Sequence, residues 1–331
     1  MSGINIGGME QGLTLRCEIT GPEDGRLLLD LLTRRFPYHD RELWKAAITA
    51  GLVQVNGHGV CRDQRLRAGD QLSYNAVNHR EPPVSTDVEI ILETPDLLLV
   101  GKPAGTPVSR TGLIIHNTLV NILRRRYRQE IHLLHRLDRE TSGLLLCARS
   151  KNACRDHQKN LKSIIIDKYY LAVVRGRVAL PLIEVDQALA ARDDSPVRCR
   201  MWSTEHGQPS RTIFRRIAAG KNHTLLLAQL LTGRKHQIRA HLAHLGHPLV
   251  GDKIYDYDGR YYLKRIAEEL TETDYRELGA RNHTLHAWAV RLNLRGRSPE
   301  LHFSEIFSVD MGKYLAHFPN WREKAEKMLQ T

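Results

Sequence analysis

Aromatic residues are scarce in this chain, since Phe, Trp and Tyr make up only 6% of its 331 residues. Leu, Ile, Val and Ala must therefore fill most of the hydrophobic core. No apolar run approaches the roughly 20 residues that a membrane helix needs, and residues 1–12 lack the basic and apolar regions of a secretion signal. We therefore expect a cytoplasmic protein without a membrane partner, beginning with a short disordered tail at residues 1–12.

Cysteine is also rare: the five cysteines are odd in number, widely spread and never in a Cys-x-x-Cys pair. This pattern argues against a disulfide framework or a zinc knuckle and fits idle thiols in a reducing cytoplasm. Acidic residues are too few to balance the basic ones, because 37 Asp and Glu stand against 49 Lys and Arg, for a formal net charge of +12. Such an excess favours a polyanionic partner, but charge alone does not establish one.

The chain divides into three regions. Residues 13–75 contain two amphipathic helix patterns and an alternating strand at 52–57 that ends in a hairpin-type Asn-Gly turn. Residues 76–87 include two consecutive prolines and predict a linker. Residues 88–331 predict an α+β domain, because their strand and helix patterns do not alternate as in a doubly wound sheet. Predicted strands of this domain lie at 88–92, 97–101, 144–148, 169–174, 225–231 and 287–294, and predicted helices at 118–128, 151–162 and 236–245.

The densest cluster of reactive side chains lies at residues 135–143, which read HRLDRETSG and lead directly into the apolar run 144–148. A turn of small and polar residues beside a buried strand can hold a carboxylate rigidly at a cleft. Two arginines and a histidine surround Asp138 in sequence, and their charges would favour its ionised form and lower its pKa. A lone aspartate in such a turn more often caps the turn. The role of Asp138 therefore has to be judged from the whole pattern at residues 135–143.

The nonapeptide and the leucines after it resemble the catalytic motif of the RluA-type pseudouridine synthases. Further blocks of that family follow in the expected order: KYYLAVVRG at 168–176 and TGRKHQIRAHLAHLGHP at 232–248, with KPAG at 102–105 resembling its first motif. The resemblance implies a pseudouridine synthase catalytic fold over residues 88–331. That fold is a central mixed, mainly antiparallel sheet with flanking helices and a catalytic cleft.

The resemblance also implies roles for individual side chains. Asp138 would be the catalytic aspartate, Arg239 its partner and Tyr170 the ring that stacks on the target uracil. Alternation along a strand gives Tyr170 partial independent support, because it shares a face with Ala172 and Val174. Other side chains are predicted to bind substrate or RNA. They are Arg136, which would take the space vacated by the flipped nucleotide, and His135, Thr141, Lys168, Arg234, His236 and Gln237.

Residues 13–75 resemble an S4-type RNA-binding domain, on their two helices, the sequence GLVQVNG at 51–57 and the later Gly-Asp-x-Leu. The chain departs from the family at two places. Where the family has Val-His-Pro after its first motif, this chain has VSR at 108–110, and the family's Phe-x-x-Arg is replaced at Leu161 and Ile164. These departures concern target choice more than activity. The polar stretch at 256–282 has no assigned role.

No cofactor is expected, because the reaction transfers no electrons and spends no phosphate, and the chain has no Gly-Lys-Ser/Thr or Gly-x-Gly-x-x-Gly loop. His241, His244 and His247 have a spacing that suggests a metal site. However, His247 follows the helix-stopping Gly246, and no acidic or Cys ligand is near in sequence. We therefore expect no metal.

The expected function is isomerisation of specific uridines in structured RNA to pseudouridine, with ribosomal RNA favoured over transfer RNA. The uridine would flip out of its helix, and Asp138 would either attack C1′ or remove the C2′ proton; the sequence leaves both routes open. A monomer is the default expectation. The rival interpretations are a non-catalytic RNA-binding protein and an RNA glycosidase that releases free uracil.

Overall fold

A computed structural model describes residues 13–36, 38–76 and 81–330. The predicted tail at 1–12 and residues 77–80 of the predicted linker lie outside the described residues. The chain divides into two compact units. The smaller consists of Met1–Pro82, Arg110–Ile115 and Ile266–Glu268, and the larger of Pro83–Ser109, His116–Arg265 and Glu269–Thr331.

In the smaller unit, the described residues form a four-stranded antiparallel sheet and two helices. The elements are β1 (Leu13–Glu18), α1 (Leu28–Arg35), α2 (Arg41–Thr49), β2 (Val53–Val55), β3 (His58–Gly59) and β4 (Gln71–Ala76), in the sheet order β1-β4-β2-β3. Helix α2 starts where the Asp40 side chain accepts a hydrogen bond from the Leu43 N–H, which satisfies an otherwise unpaired donor. The two predicted helices and the strand before the Asn-Gly turn are confirmed, whereas the sequence did not predict β1.

The larger unit contains a sheet that has ten strands among the described residues. The strands of this unit are β5 (Glu89–Glu93), β6 (Leu97–Lys102), β7 (His132–Leu133), β8 (Ser142–Ala148), β9 (Ile165–Arg175), β10 (Leu182–Asp186), β11 (Leu189–Ala191), β12 (Met201–Ser203), β13 (Arg211–Ala219), β14 (His223–Leu230), β15 (Leu285–Leu292) and β16 (Glu300–Phe303). The main order is β10-β13-β14-β9-β15-β8-β6-β5, with β16 on β15 and β7 on β8, while β11 and β12 pair with each other. All these pairings are antiparallel except that of β15 with β8.

Eight further helices lie between or after these strands along the described part of the chain. They are α3 (Leu119–Tyr127), α4 (Lys151–Lys159), α5 (Leu161–Ile164), α6 (Gln237–His244), α7 (Arg260–Ala267), α8 (Glu272–Leu278), α9 (Val309–Leu315) and α10 (Trp321–Met328). The predicted α+β class with a mixed, mainly antiparallel sheet is confirmed. None of the helices in the described part of the chain has the length and apolar character of a membrane span.

Strand β9 separates two hydrophobic cores. Tyr170, Ala172 and Val174 belong to the core on one side, whereas Tyr169 and Leu171 belong to the core on the other. This division follows from the two-residue period of a strand. The predicted shared face of the first three residues is confirmed, and it gives Tyr170 and Tyr169 different surroundings.

The last residue of the 135–143 motif determines how two central strands meet. Gly143 pairs with Ala287 where β8 runs parallel to β15. Its φ is +101°, and a Cβ at this position would lie only 2.2 Å from the Ala287 carbonyl oxygen. Only glycine therefore fits here, and it allows the turn that carries Asp138 to enter the sheet beside β15.

His286 on β15 links the same strands through a neutral imidazole. Its Nδ1 lies 2.8 Å from Ser142 Oγ and its Nε2 lies 3.0 Å from the Ser304 carbonyl oxygen. One ring nitrogen can therefore accept from the hydroxyl while the other donates to the carbonyl. Burial lowers the pKa of His286 from 6.5 to about 4.

The buried His286 is expected to make folding stability depend on pH. Between pH 6.5 and about 4 the unfolded chain binds a proton at this residue and the folded chain does not, so stability falls as the pH falls through this window. His286→Gln should reduce that slope by up to about 1.4 kcal/mol per pH unit. Urea denaturation at several pH values measures the slope. His206→Gln, at an exposed position, should leave it unchanged, and an equal slope in wild type and His286→Gln would contradict the neutral assignment.

Candidate active site

The larger unit brings Asp138 and Arg239 together across 101 positions of sequence. Arg239 Nη1 donates to Asp138 Oδ2 at 2.6 Å. On its other edge the guanidinium makes a two-point contact with Asp252, with Nε donating to Oδ2 at 2.7 Å and Nη2 to Oδ1 at 2.9 Å. Arg239 is therefore clamped between two carboxylates, one of which is partly open.

The two carboxylates differ in their exposure to solvent. The Asp138 side chain keeps 27% of its surface exposed, whereas that of Asp252 is 0% exposed. Burial opposes ionisation of Asp138, but the His236 and Arg239 side chains outweigh it and hold the pKa of Asp138 well below its usual range. Asp138 is therefore an accessible carboxylate that is ionised at neutral pH.

Asp252 fixes the orientation of the guanidinium. Its Oδ1 also accepts from the N–H groups of Ile254 and Tyr255, at 3.0 and 3.1 Å. Burial would raise the pKa of Asp252, but the charge of Arg239 and the hydrogen bonds to it hold the pKa below the usual range. The Tyr255 ring lies beneath the guanidinium, with its centroid 5.1 Å from Arg239 Cζ. Such a set of contacts leaves Arg239 a single orientation in which to hold Asp138.

His236 precedes α6 and closes another side of the site. Its backbone is left-handed, with φ 56°, and this turns the ring so that Nδ1 lies 3.2 Å from Tyr255 Oη and Nε2 3.8 Å from Asp138 Oδ2. Burial and the charge of Arg239 lower the pKa of His236 to about 3. At neutral pH the imidazole is therefore uncharged, and Arg239 supplies the permanent positive charge next to Asp138.

Three of the sequence-predicted residues line one small pocket. His135, Lys168 and Tyr170 share its walls with Tyr169 and with apolar residues of β6, β8 and β15. Burial and the charge of Asp138 raise the pKa of Tyr170 above its usual range, so the phenol stays protonated at neutral pH. His135 Nε2 accepts from the Leu146 N–H at 3.1 Å, and burial lowers the pKa of this histidine to about 3.

Gln237 and Thr141 make their contacts within the protein. The Gln237 amide donates to the Arg211 carbonyl and to Thr212 Oγ1, and its oxygen accepts from Thr232 Oγ1 and the Arg234 N–H. All four hydrogen-bonding positions of the Gln237 side chain are thus used, which orders the turn before α6.

Thr141 is equally enclosed, whereas two of the predicted RNA-binding arginines are exposed. Thr141 Oγ1 lies 2.8 Å from His283 Nε2, and both residues are buried. Arg136 and Arg234 are exposed, and Arg234 Nε donates to the Pro209 carbonyl oxygen at 3.2 Å. Of the predicted RNA-binding residues, these two arginines therefore present the most open side chains.

A second ionic network, which the sequence did not predict, supports the turn behind Asp138. Glu140 accepts two hydrogen bonds from Lys253 Nζ, at 3.0 and 3.1 Å, and others from Arg265 and the His283 N–H. Burial opposes its ionisation, but the charges of Lys253 and the other neighbours lower the pKa of Glu140 to about 2. Arg265 comes from the 256–282 stretch, which holds α7 and α8. Part of that stretch therefore supports the candidate site.

Lys102 ties the KPAG loop to the same turn. It is fully buried, and its Nζ donates to the carbonyl oxygens of Pro103 and Thr106 at 2.9 Å and of Arg139 at 3.0 Å. Three acceptors require the three N–H donors of an ammonium group. Burial lowers the pKa of Lys102 to about 7. Its contacts identify Lys102 as a positioning residue for the residue that follows Asp138.

Replacing this lysine is expected to loosen the turn. Lys102→Met keeps the length of the side chain but leaves three carbonyl groups without their donor, which should lower the free energy of unfolding by roughly 2–5 kcal/mol. The value of kcat should fall while KM changes little, because the RNA-binding surface is retained. Urea denaturation and steady-state kinetics measure the two effects, with the exposed Lys159→Met as the control. Equal stability of Lys102→Met and wild type would refute this role.

The spacing of His241, His244 and His247 suggested a metal site, but these three histidines lie in different surroundings. His241 is buried with its ring nitrogens 3.0 Å from Thr212 Oγ1 and the Gln187 carbonyl oxygen, whereas His247 Nδ1 lies 2.9 Å from the Arg175 carbonyl oxygen. His244 is exposed. The part of the chain that the structure describes contains no group of three or more His, Cys, Asp or Glu side chains able to hold a metal ion.

Comparison with known proteins identifies the family. A sequence profile described as RNA pseudouridylate synthase matches residues 96–244, a range that includes Asp138, Tyr170 and Arg239. An uncharacterised RNA pseudouridine synthase from Synechocystis sp. is 34% identical over 234 residues, which cover 70% of this chain and 80% of that protein. The chain belongs to the RNA pseudouridine synthase family. Members of this family are isomerases that act on RNA, so the predicted enzyme class is confirmed.

Two further pseudouridine synthases match this chain in other ways. One aligns with it over half of its own length, and the other resembles it in fold. The mitochondrial tRNA pseudouridine(32) synthase of Saccharomyces cerevisiae is 30% identical over 238 residues, which cover 70% of this chain and 50% of the yeast protein. The solved structure of human RNA pseudouridylate synthase domain containing 4 matches 70% of this chain and 92% of its own, with a TM-score of 0.52 and 22% identity. The second likeness supports the predicted pseudouridine synthase fold.

Proposed function

We propose that this chain converts specific uridines of structured RNA into pseudouridine, with Asp138 as the essential carboxylate. The observation that carries the proposal is the contact of Arg239 with both Asp138 and the fully buried Asp252. This contact keeps the Asp138 carboxylate ionised and oriented, while its side chain stays partly exposed to solvent. A carboxylate of this kind suits chemistry at a ribose carbon, because it is charged, held in one orientation and accessible to a substrate.

The reaction requires one carboxylate and no cofactor. The N1–C1′ bond of uridine breaks with its electron pair on N1, while Asp138 either bonds to C1′ or takes the C2′ proton. The freed uracil turns and its C5 joins C1′. In the first route this breaks the Asp138–C1′ bond, and in the second Asp138 returns the proton to C2′. The C5 proton then leaves to a base, and N1 takes up a proton. Arg239 holds the carboxylate and stabilises its charge before the reaction begins. Both routes begin with an ionised Asp138, as its lowered pKa provides.

Tyr170 is proposed to stack on the flipped uracil. The side chain lies on the strand face that also carries Ala172 and Val174, and it feels the charge of Asp138. Because its phenol is protonated in the free protein, the ring supplies an aromatic surface first. Removal of the C5 proton by Tyr170 would require the phenol to lose its own proton during the reaction.

Two substitutions separate stacking from the hydroxyl group. Tyr170→Phe should keep the affinity for target RNA within about threefold, whereas Tyr170→Leu should weaken it by about 5- to 160-fold, corresponding to a stacking energy of roughly 1–3 kcal/mol. Filter binding to an RNA that the protein modifies measures both. Tyr314→Phe, which packs against the opposite core and does not line the pocket of Tyr170, is the matched control. Equal binding by the Leu and Phe variants would contradict the stacking role.

The proposed targets are structured RNAs, and the two candidates have different support. Ribosomal RNA is favoured by the resemblance of residues 13–75 to an S4-type domain, which we propose binds RNA alongside the catalytic unit. Transfer RNA is favoured by the name of the yeast relative, a tRNA pseudouridine(32) synthase.

The proposed location is the cytoplasm, and the proposed oligomeric state is a monomer. The location is supported by the five cysteines, all of which are free thiols.

Pseudouridine mapping tests this function. Cellular RNA from strains with and without the gene is treated with carbodiimide and read by primer extension over ribosomal and transfer RNA. We expect one or a few stops that vanish without the gene and return when the wild-type chain is supplied. Identical maps in both strains, together with no pseudouridine formed by the purified chain on RNA from the deletion strain, would refute the proposal. Release of free uracil, detected by chromatography, would indicate an RNA glycosidase instead.

A further inference from the structure

The smaller unit contains a cavity of about 300 Å³ that the catalytic chemistry does not use. Its walls come from β1, α1, α2 and β4 and from the segment Arg110–Ile115, which belongs to the same unit. Protein interiors are close-packed and rarely leave voids larger than a water molecule. Sites for small molecules, in contrast, have volumes of about 300–1,000 Å³. The cavity therefore has the size of a binding site rather than that of a packing defect.

Aromatic rings form much of the cavity wall. Phe36, Tyr38, Trp44 and Tyr74 all line it, although aromatic residues make up only 6% of the chain. The ring centroids of Tyr38 and Trp44 are 5.4 Å apart, and those of Phe36 and Tyr38 are 5.9 Å apart. Trp44 and Tyr74 are buried, whereas Phe36 and Tyr38 are only partly covered. The partly exposed rings of Phe36 and Tyr38 offer flat apolar surface to a planar group.

Two arginines place positive charge at the same cavity. Arg16 on β1 and Arg110 both line it and are both exposed. Neither forms an ion pair with any residue of the described ranges 13–36, 38–76 and 81–330. A cavity with aromatic walls and two available guanidinium groups is complementary to a molecule that is both flat and anionic.

Arg110 also marks a departure in sequence. It stands where the RluA-type motif continues as Val-His-Pro, and no contact in the active site uses it. The backbone after it approaches the aromatic wall, since a Cβ on Gly112 would lie 3.4 Å from the Tyr38 ring. The changed residue and its neighbour are thus part of the cavity, and this gives the departure a physical consequence.

We propose that this cavity binds an unpaired nucleotide of the RNA substrate, with the base against Tyr38 and Phe36 and the phosphate facing Arg16 and Arg110. An RNA partner is the occupant that the charge and the aromatic wall favour together, because bases stack on aromatic rings without regard to sequence and arginines pair with phosphates. The identity of the RNA rests on the proposed function. The cavity would add a second contact that helps to select the target.

Photocrosslinking of the full-length chain tests the proposal. The probe is a 12-nucleotide RNA pool of random sequence that carries 4-thiouridine in place of uridine. Trypsin cuts after Arg35, Arg41 and Lys45, so three of the four cavity aromatics, Phe36, Tyr38 and Trp44, fall in two short peptides, residues 36–41 and 42–45. We expect crosslinked nucleotide on these peptides. Loss of the two cationic contacts in Arg16→Gln/Arg110→Gln should lower that yield about fivefold or more.

The control variant is Arg62→Gln/Arg67→Gln, which removes the same charge from exposed positions of the same unit outside the cavity. Its crosslinking to the two peptides should stay within about twofold of wild type, because it leaves the proposed contacts intact. Crosslinks confined to other peptides, or an equal loss in both double variants, would overturn the proposal. Pseudouridine formation by the same protein preparations is measured in parallel on RNA from the deletion strain. An active enzyme without cavity crosslinks refutes the cavity alone, whereas cavity crosslinks on an inactive chain refute the proposed enzyme and leave the cavity site standing.

Discussion

Asp138→Asn is expected to lower the rate of pseudouridine formation by about 10⁴-fold or more, because an amide can neither attack C1′ nor take the C2′ proton. The substitution keeps the size of the side chain, and its oxygen can still accept from Arg239 Nη1. Arg239 also keeps its two hydrogen bonds to Asp252. The variant should therefore fold normally and bind RNA with nearly unchanged affinity. Single-turnover assays on an RNA modified by the wild type, with binding measured on the same RNA, separate the two effects.

The matched control for this prediction is Asp167→Asn. Asp167 also pairs with an arginine, since Arg291 Nε donates to it at 3.1 Å, but it lies outside the candidate site. We expect its activity to remain within about threefold of wild type, as for a surface position. Wild-type activity in Asp138→Asn would show that the carboxylate is not the reactive group. A cellular role that survives the substitution would favour the non-catalytic RNA-binding interpretation.

Arg239→Leu is expected to cause a large loss both in the free energy of unfolding and in the rate of pseudouridine formation. Arg239 is the cation shared by Asp138 and Asp252, and its removal leaves a fully buried carboxylate without its paired cation. Breaking a buried ion pair in this way typically costs about 3–5 kcal/mol of folding stability. Arg239→Lys should retain the charge but cannot hold both carboxylates at once, and we expect it to lose about 100-fold in kcat because Asp138 is misplaced. Urea denaturation and single-turnover kinetics measure these changes.

The pH dependence of the Arg239→Leu defect identifies its origin. In the wild type the pKa of Asp252 is lowered by the Arg239 charge against the effect of burial, so its stabilising contribution is present above its ordinary pKa and is lost only as the pH falls through the lower, folded value. In the variant, burial without the cation should raise that pKa. The destabilisation should therefore be largest near pH 7 and decrease towards pH 4, as the carboxyl group takes up a proton. A defect of constant size across this range would contradict the explanation.

A second substitution should restore the fold without restoring activity. Arg239→Leu/Asp252→Asn no longer contains the unpaired buried charge, so most of the lost stability should return, while Asp138 still lacks its partner. Arg291→Leu is the control for loss of an arginine, because the Arg291–Asp167 pair is partly exposed and should contribute no more than about 1 kcal/mol. If the double variant were as unstable as Arg239→Leu, the buried charge would not be the cause.

The sequence alone was sufficient to place many of the main elements and to indicate the family, although it predicted none of the strands β10, β13 and β16 and neither of the helices α9 and α10. Apolar periodicity predicted β6, β8, β9, β14 and β15 and the helices α3, α4 and α6, because these segments are long and their patterns are unambiguous. The short strands β7, β11 and β12 have two or three residues each and leave no measurable period. The parallel pairing of β8 with β15 was also beyond prediction, since it joins residues about 144 positions apart through a glycine that allows very close approach.

The supporting residues of the candidate site were harder to find than its centre. Lys102 lies in a recognised block and Asp252 four residues after another, yet their importance depends on the groups that they contact. Asp252 contacts a guanidinium from α6, and Lys102 contacts a carbonyl from the turn that carries Asp138. A polar residue in an apolar stretch, such as Asp252 after Leu249 and Val250, was the available signal. Gln237 and Thr141 show the opposite case, because both belong to predicted RNA-binding blocks but use their hydrogen-bonding groups inside the protein.

The chain by itself determined the elements with a clear apolar pattern, the position of its candidate carboxylate and the family to which it belongs, because these depend on local pattern and on short runs of residues. Only the tertiary structure decided which carboxylate stays partly open and which is sealed, and which arginine holds them both. It also created the aromatic cavity of the smaller unit from segments that are far apart in sequence. Burial and charge neutralisation arise from contacts between distant residues, and these contacts exist only once the chain has folded.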